Sequence, residues 1–393
     1  MTEHDIQLRY AHRVMFTRGV FAPGNATLRE LFAQGRHGER VQSVLAFIDG
    51  GLADSDRGLA AKVEAYLADI PEGIQVKAAP IVLPGGEGCK NDWGLVERIW
   101  REIHDHGLCR HSYVLAIGGG ALLDLVGFAT ATAHRGVRLV RLPTTTLSQG
   151  DGGVGVKNGV NYFGKKNWVG CFTVPFAVVN DFDFLKTLPQ RERRSGIIEG
   201  LKVALIRDKG FFDYIESVVE ELARLDGKVI EKVIQRSCEL HVNHIVHGGD
   251  PFELGSARPL DFGHWVAHKL EQISDFALKH GEAVAIGMAV DLIYSARIGL
   301  IERADCDRIL SLMEGIGFAL DSPYLHQLDS EGKPVILRGL EEFREHLGGT
   351  LTITLVPEIG RKIEVNEMVE EEILGALAEL ETKTATVGAV AVS

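Results

Sequence analysis

Apolar residues take two textures along the chain, and the change falls near residue 189. Before it, short apolar runs alternate with stretches of helical spacing. VQSVLAFI over 41–48 is a run ended by Asp49-Gly50-Gly51, and 56–69 carries Leu59, Val63 and Leu67 at helical intervals. The segment 74–83 reads as a strand stopped by Pro84-Gly85-Gly86, and 93–106 as a helix. SYVLAI over 112–117 is a buried strand, followed by three glycines and an apolar helix over 121–133; 137–142 is the next strand, stopped by Pro143. Alternation of this kind predicts a parallel sheet with helices on its faces.

After Pro189 the apolar residues recur at three- and four-residue spacing over 191–207, 227–247, 260–274 and 282–298, and glycine thins out. LTITLV over 351–356 is a late strand whose partner the pattern does not identify, and 383–393 reads as a frayed tail. The expected organisation is α/β: a Rossmann-like parallel-sheet domain over 1–189 and a mostly α-helical domain over 190–393.

Composition narrows the function classes. Of 393 residues, 45% are hydrophobic and 24% charged, which excludes a disordered or collagen-like chain. Lys and Arg number 42 against 54 Asp and Glu, a net charge of −12, so a general nucleic-acid or anionic-membrane binder is not expected, whereas a local basic pocket is still allowed. The five cysteines, Cys89, Cys109, Cys171, Cys238 and Cys306, are scattered and show no metal-ligand spacing. With a polar N-terminus and no apolar run of about 18 residues, the expectation is a cytoplasmic protein with reduced thiols.

Candidate chemistry gathers at strand ends and on helices. Gly118-Gly119-Gly120 leaves a strand and opens a helix that carries Asp124, a pattern GGGxxxD that suits a phosphate at a helix N-terminus. A tightly packed strand-to-helix turn would use the same glycines. Asp49, then Glu87 and Lys90, then Thr144 and Thr145 follow the ends of other strands on the same edge, where open α/β sheets bind ligands. Together they favour a dinucleotide. The Gly-rich stretch from Asp151 to Lys157, with Lys165, Lys166 and Asn167 beyond it, reads as a loop suited to an anion. In the second half, His264 and His268 share a helix face, His280 lies sixteen residues after His264, and Glu199 sits in an apolar helix one turn before Lys202. One Glu and two His can hold a divalent ion such as Zn²⁺. Helix histidines satisfied by other partners would give the same spacing, and His241, His244 and His247 form a second such group.

These motifs resemble the sugar-phosphate cyclases, whose best-known member is 3-dehydroquinate synthase, over about residues 49–299. PGGEGCK resembles PxGExxK, and GGGALLDLVGFATATAHRG resembles GGGxxxDxxGFxAxxxxRG. LPTTTLSQGDGGVGVKNGVN is similar to PTTLLAQVDxSVGGKTxxN, and LKTLPQRERRSGIIEGLK to LxTLPxREfxSGxAEvIK. FGHWVAHKLE resembles LGHTFGHAxE, and HGEAVAIGM is the common form unchanged. The resemblance implies a dehydroquinate-synthase-like fold with an NAD-binding first domain, a metal-binding second domain and a homodimer. It implies NAD contacts from Asp49, Glu87, Lys90, Gly119, Gly120, Asp124, Thr144, Thr145, Asp151 and Lys166. It implies zinc or cobalt on Glu199, His264 and His280. Lys157, Lys202, Asn167 and His268 would surround a phosphorylated seven-carbon sugar, with Arg135 reaching a neighbouring subunit's site. The implied reaction is transient oxidation, phosphate elimination, re-reduction and aldol closure.

Four positions depart from the family pattern. His241 stands where a lysine is expected, Ala257 replaces an arginine although Arg258 is adjacent, Asp261 replaces an asparagine, and Arg344-Glu345-His346 replaces a basic segment. The first two cations are associated with the substrate carboxylate. A charge-assisted contact to a carboxylate contributes ~1.5–3 kcal/mol, so their replacement points to a substrate without that group, of heptulose 7-phosphate type. The alternatives are a true 3-dehydroquinate synthase in which Arg258 or His241 substitutes, and a metal-dependent alcohol or polyol dehydrogenase that would release NADH.

Overall fold

The computed structural model describes residues 2–35, 41–70, 73–252, 260–346 and 349–390. The Cα positions separate into two compact units, Met1–Pro189 and Gln190–Ser393.

In the first unit the strands are β1 (Val14–Thr17), β2 (Gln42–Asp49), β3 (Ile74–Val76), β4 (Ile81–Leu83), β5 (Tyr113–Gly118), β6 (Arg138–Pro143), β7 (Lys157–Tyr162), β8 (Lys165–Phe172) and β9 (Ala177–Asp181). The helices are α1 (Thr27–Gln34), α2 (Gly50–Ser55), α3 (Leu59–Ala68), α4 (Trp93–Asp105) and α5 (Gly120–Thr132). Seven strands form one parallel sheet in the order β1-β9-β6-β5-β2-β3, with β4 also beside β2. The chain leaves β2 towards β3 and β4, and leaves β5 in the opposite direction towards β6. The order therefore reverses between β2 and β5, and the crevice outside their C-terminal ends is where such sheets bind ligands. Two-residue alternation sorts the core. Val44, Ala46 and Ile48 join Leu28, Phe32, Val63 and Leu67 on one face, while Leu45 and Phe47 join Val96, Ile99, Leu122 and Val126 on the other.

Three details differ from the sequence expectation. The single strand over 74–83 is two short strands, because Pro80 lies between them and lacks the N–H a ladder needs. The Gly-rich stretch is not all loop: a turn over Ser148–Gly152 leads into the antiparallel hairpin β7–β8. Val160, Val169 and Cys171 of that hairpin pack on the same core as α5.

The second unit contains α6 (Gln190–Arg207), α7 (Lys209–Ser217), α8 (Val219–Ala223), α9 (Gly227–His247), α10 (His264–Ile273), α11 (His280–Arg297), α12 (Arg303–Ile316), α13 (Arg338–His346) and α14 (Glu370–Val390). The late strand is β10 (Ile353–Glu358), and its partner is β11 (Arg361–Val365). Of the segment read as a frayed tail, α14 runs on as far as Val390, and residues 391–393 lie outside the described residues. Helix α11 is buried almost all round, from Ala283 to Ser295, and so forms the middle of this unit. Among the described residues no helix is long and apolar enough to cross a membrane.

Helices α10 and α11 are locked at one point. Gly263 has φ +76°, and a Cβ there would lie 2.6 Å from the Met288 nitrogen, while a Cβ on Gly287 would lie 2.0 Å from the Gly263 oxygen. Only glycines permit this backbone approach. Asp291, fully buried, accepts from Gly263 N–H at 3.0 Å and from Trp265 Nε1–H at 2.9 Å, so one carboxyl holds the start of α10.

Burial pushes the Asp291 carboxyl up to about 7, against the two hydrogen bonds that pull it down. A raised folded value means that its stabilising contribution is complete below the ordinary carboxyl pKa of ~3.9 and is lost as pH rises through about 7. Asp291→Asn also sacrifices one acceptor and is expected to lower Tm. That deficit should shrink between pH about 5 and about 8, as thermal melts at both values would read. A deficit that stays constant between those two values would mean that Asp291 is already ionised in the folded protein at the lower one.

Candidate dinucleotide and metal sites

In the first unit the candidate residues lie at the strand C-terminal ends. Asp49 ends β2 and caps α2, accepting from Leu52 N–H at 3.2 Å. Burial raises its carboxyl pKa, opposed by hydrogen bonds from the Leu52 and Gly51 N–H groups. Gly118 ends β5 beside it, and a Cβ on Gly118 would lie 2.9 Å from the Asp49 Cβ. Gly119 then caps α5 and Gly120 is its first residue, with no side-chain cap on the helix start, so backbone N–H groups there suit an anion. After β6, Thr144 donates its N–H to the Gly118 oxygen at 3.0 Å, and Thr145 Oγ1 lies 2.8 Å from Ser148 Oγ. Asp151 follows on the next turn.

Lys90 is the charged centre of this edge. Its Nζ is buried, 2.8 Å from Asp124 Oδ2 and 3.7 Å from Glu87 Oε1, and it donates to Asn167 Oδ1. Burial pulls the ammonium pKa down, but Asp124 and Glu87 outweigh it and the net shift is upward. Lys90 is therefore a fixed cation. Asn161 continues the network: its amide donates to Asn91 Oδ1 at 2.9 Å, and its Oδ1 accepts from Asn167 N–H at 2.9 Å. Asn167, which the resemblance groups with the substrate, is thus brought to Lys90. Lys157 opens β7 and Lys166 lies on β8, while the neighbouring Lys165 stands over the Trp168 ring. Arg135 is in a turn with φ 61°, directly after His134 at φ 51°.

Sequence reasoning missed Arg141. This arginine sits fully buried in β6, where the Asp124 carboxylate acts on it at a distance but forms no ion-pair contact with it. It donates instead to the carbonyls of Gly153 (3.1 Å), Gly155 (2.9 Å) and Lys157 (2.7 Å) and to Asn158 Oδ1 (2.7 Å). One planar guanidinium thereby holds the Gly-rich segment between Asp151 and Lys157 in a single shape. The available signal was a charged residue inside the apolar run RLVRLP.

In the second unit, Glu199 comes from the buried α6, and His264 and His280 are the first residues of α10 and α11. Their ligating atoms all lie within 4.8 Å of one another. The His264 and His280 ring centroids are 5.4 Å apart, and His280 Nε2 is 3.5 Å from Glu199 Oε1. Lys202, one turn after Glu199, touches the other carboxylate oxygen and is equally buried. His268 lies one turn after His264, its ring centroid 5.5 Å away. Burial, and then the charges of Lys202, His280 and His268, hold His264 well below the ordinary histidine pKa, so it is a neutral imidazole able to ligate.

The donor set fits a divalent ion. Glu199 is buried with one oxygen against the Lys202 ammonium and the other facing His280 Nε2, neither in hydrogen-bond geometry, and one carboxylate with two imidazoles is a ligand set that leaves a position open. The His241, His244 and His247 group forms no ligand cluster among the described residues; His244 Nδ1 instead lies 2.6 Å from an Arg207 guanidinium nitrogen. Ala257 and Arg258 fall outside the described residues. Arg344 pairs with Glu341 on α13.

Comparison with known proteins bears on the family and the fold. The family model described as 3-dehydroquinate synthase N-terminal matches residues 80–195, and 3-dehydroquinate synthase C-terminal matches 196–331. A 3-dehydroquinate synthase of Nitrosospira multiformis is 39% identical over 300 residues, 76% of this chain and 79% of that protein. The structure of ValA, a 2-epi-5-epi-valiolone synthase from Streptomyces hygroscopicus with NAD⁺ and Zn²⁺ bound, aligns with a TM-score of 0.83 at 26% identity, covering 97% of this chain and all of that one. A 2-deoxy-scyllo-inosose synthase complexed with carbaglucose-6-phosphate, NAD⁺ and Co²⁺ shares the fold, with a TM-score of 0.74 at 22% identity over 92% of this chain and 94% of that one.

Replacing Arg141 tests the clamp on the Gly-rich segment. Arg141→Met leaves buried carbonyls without donors and is expected to cost ~2–4 kcal/mol of stability. Amide exchange over 153–158 should quicken more than in the sheet, and Arg141→Lys should restore little because an ammonium cannot reach all four acceptors. Unchanged exchange in that segment would mean that other contacts fix it.

Proposed function

The chain belongs to the 3-dehydroquinate synthase family, and from that premise we propose that it is an NAD- and divalent-metal-dependent cyclase of a seven-carbon sugar phosphate. The reaction is transient oxidation, phosphate elimination, re-reduction and intramolecular aldol closure. The observation that carries the reading is the buried Glu199–His264–His280 cluster with Lys202 against it, in a chain whose other unit presents an uncapped Gly119-Gly120 helix start beside Asp49.

Glu199, His264 and His280 would hold the ion, zinc or cobalt. Asp49, Glu87, Lys90, Gly119, Gly120, Asp124, Thr144, Thr145, Asp151 and Lys166 would hold NAD. When bound, NAD supplies a hydride acceptor and the ion a Lewis acid for the alcohol oxygen. Asp49 can accept from ribose hydroxyls, and the Gly119-Gly120 amides can receive the pyrophosphate. Lys202 and His268 supply a cation and a proton carrier beside the alcohol, and Lys157, Asn167 and Arg135 are the remaining substrate-side groups. A homodimer in which Arg135 serves a second copy, and a cytoplasmic location in keeping with five cysteines that form no disulfide, belong to the same reading.

For the substrate we favour a heptulose 7-phosphate without a carboxylate. His241 and Ala257 support this, because they remove two cations from positions associated with that group. So does the likeness to a 2-epi-5-epi-valiolone synthase over 97% of the chain. The second reading is 3-dehydroquinate synthase itself, favoured by the 39% identity to that enzyme. A simple alcohol dehydrogenase would have no substrate phosphate, and Lys157 and Lys202 would lack the role this reading gives them.

Phosphate release with NAD⁺ and Zn²⁺ or Co²⁺ separates these readings. Sedoheptulose 7-phosphate is expected to turn over, and the carboxylated heptulosonate phosphate to react at least ~10-fold more slowly, the equivalent of one lost contact at ~1.4 kcal/mol. The reverse order would make the chain a 3-dehydroquinate synthase, and net NADH accumulation with a simple polyol would make it a dehydrogenase. Glu199→Gln should abolish turnover and metal retention together.

A further inference from the structure

Resting on the metal centre proposed above, we infer that Glu271 is the residue that positions His280 as a ligand. Glu271 lies on the last turn of α10 and is 4% exposed. Its Oε2 stands 3.1 Å from His280 Nδ1, while the opposite nitrogen, Nε2, faces Glu199 at 3.5 Å. A carboxylate can only accept, so the Nδ1 of His280 must carry the proton, and the Nε2 lone pair is left for an ion. His264 is set in the same sense by different means: its Nδ1 lies 3.0 Å from the Phe262 carbonyl, which also only accepts. Both imidazoles therefore present Nε2, one fixed by backbone and one by a side chain.

The two anchors differ in consequence. The Phe262 carbonyl is part of the turn that Gly263 and Asp291 hold, and it comes with the fold. Glu271 lies about two turns further along α10 than that turn, and it adds a negative charge next to a ligand, which raises the ligand's basicity. His268, Glu271 and His280 also bring ligating atoms within 4.8 Å, so a second ion between them is the competing account. The 3.1 Å contact favours the hydrogen bond, because an ion there would need a lone pair on Nδ1, and in this contact Nδ1 carries the donated proton instead.

The full-length chain, stripped of metal by a chelator, tests the inference. Zn²⁺ is titrated against a chromophoric competitor, Co²⁺ is followed by its ligand-field absorption, and the metal-free proteins are melted in parallel. The unsubstituted chain is expected to take up one equivalent. Glu271→Ala should bind at least ~10-fold more weakly with a shifted Co²⁺ spectrum, and Glu271→Gln should recover part of the loss, since its carbonyl still accepts from Nδ1–H. The metal-free melts should stay close to one another. If Glu271→Ala does not fold, a several-fold loss in Glu271→Gln supports the inference and unchanged affinity there overturns it. Affinity of Glu271→Ala within about twofold of the unsubstituted chain, with an unaltered spectrum, overturns it as well. Two equivalents in the unsubstituted chain, one of them lost with Glu271, would make Glu271 a ligand instead. No uptake by the unsubstituted chain would remove the metal centre itself and, with it, the role of Glu271.

Discussion

An ion taken out of water costs several kcal/mol unless opposite charge or oriented dipoles meet it, and this protein buries Lys90, Arg141, Glu199 and Lys202. Each is met differently. Lys90 is answered by Asp124 and Glu87, Arg141 by carbonyl dipoles and one amide oxygen, and Glu199 and Lys202 by each other. A stable hydrophobic core would need none of them, and apolar replacements of equal volume would often serve stability as well. Their presence fixes directions in space, which is the use to which the candidate sites put them.

The same device appears at two scales. Arg141 converts a glycine-rich segment, which has little shape of its own, into one held conformation by engaging several of its carbonyls at once. Asp291 does for the start of α10 what Arg141 does for that segment: it accepts from Gly263 and Trp265 on either side of His264. Since His280 begins α11, the helix that carries Asp291, the packing of these two helices sets the spacing of two candidate ligands before any ion arrives. Glu271 then settles which nitrogen of His280 looks inward.

Division of chemistry between the units follows from their architectures. A parallel sheet gathers loops at one edge, and its reversal between β2 and β5 leaves a crevice there, so backbone amides and small polar groups suit an extended, phosphate-bearing cofactor. A bundle of buried helices brings side chains of separate segments face to face, which suits a compact set of ligands around an ion.

Much of this was legible along the chain, because it depends on local periodicity and short spacing. Runs such as SYVLAI mark buried strands, three- and four-residue spacing marks the second unit, and the sequence alone groups His264 with His268 on one helix face. Strand C-terminal residues such as Asp49, Glu87 and Thr144 were legible for the same reason: each follows directly from an apolar run. The β7–β8 hairpin and the partner of β10 were not, since they depend on which strand lies alongside which, whereas the 74–83 break had a local signal in Pro80. Arg141 joining Gly153 and Asn158, Lys90 joining Asn167, and Glu271 joining His280 depend on contacts that close only when separate elements pack. Residue order thus determined which groups are available and on which element each rides. Only tertiary structure decided which of them meet and which atom each turns to its partner, because packing in three dimensions, unlike periodicity, has no record in any one stretch of sequence.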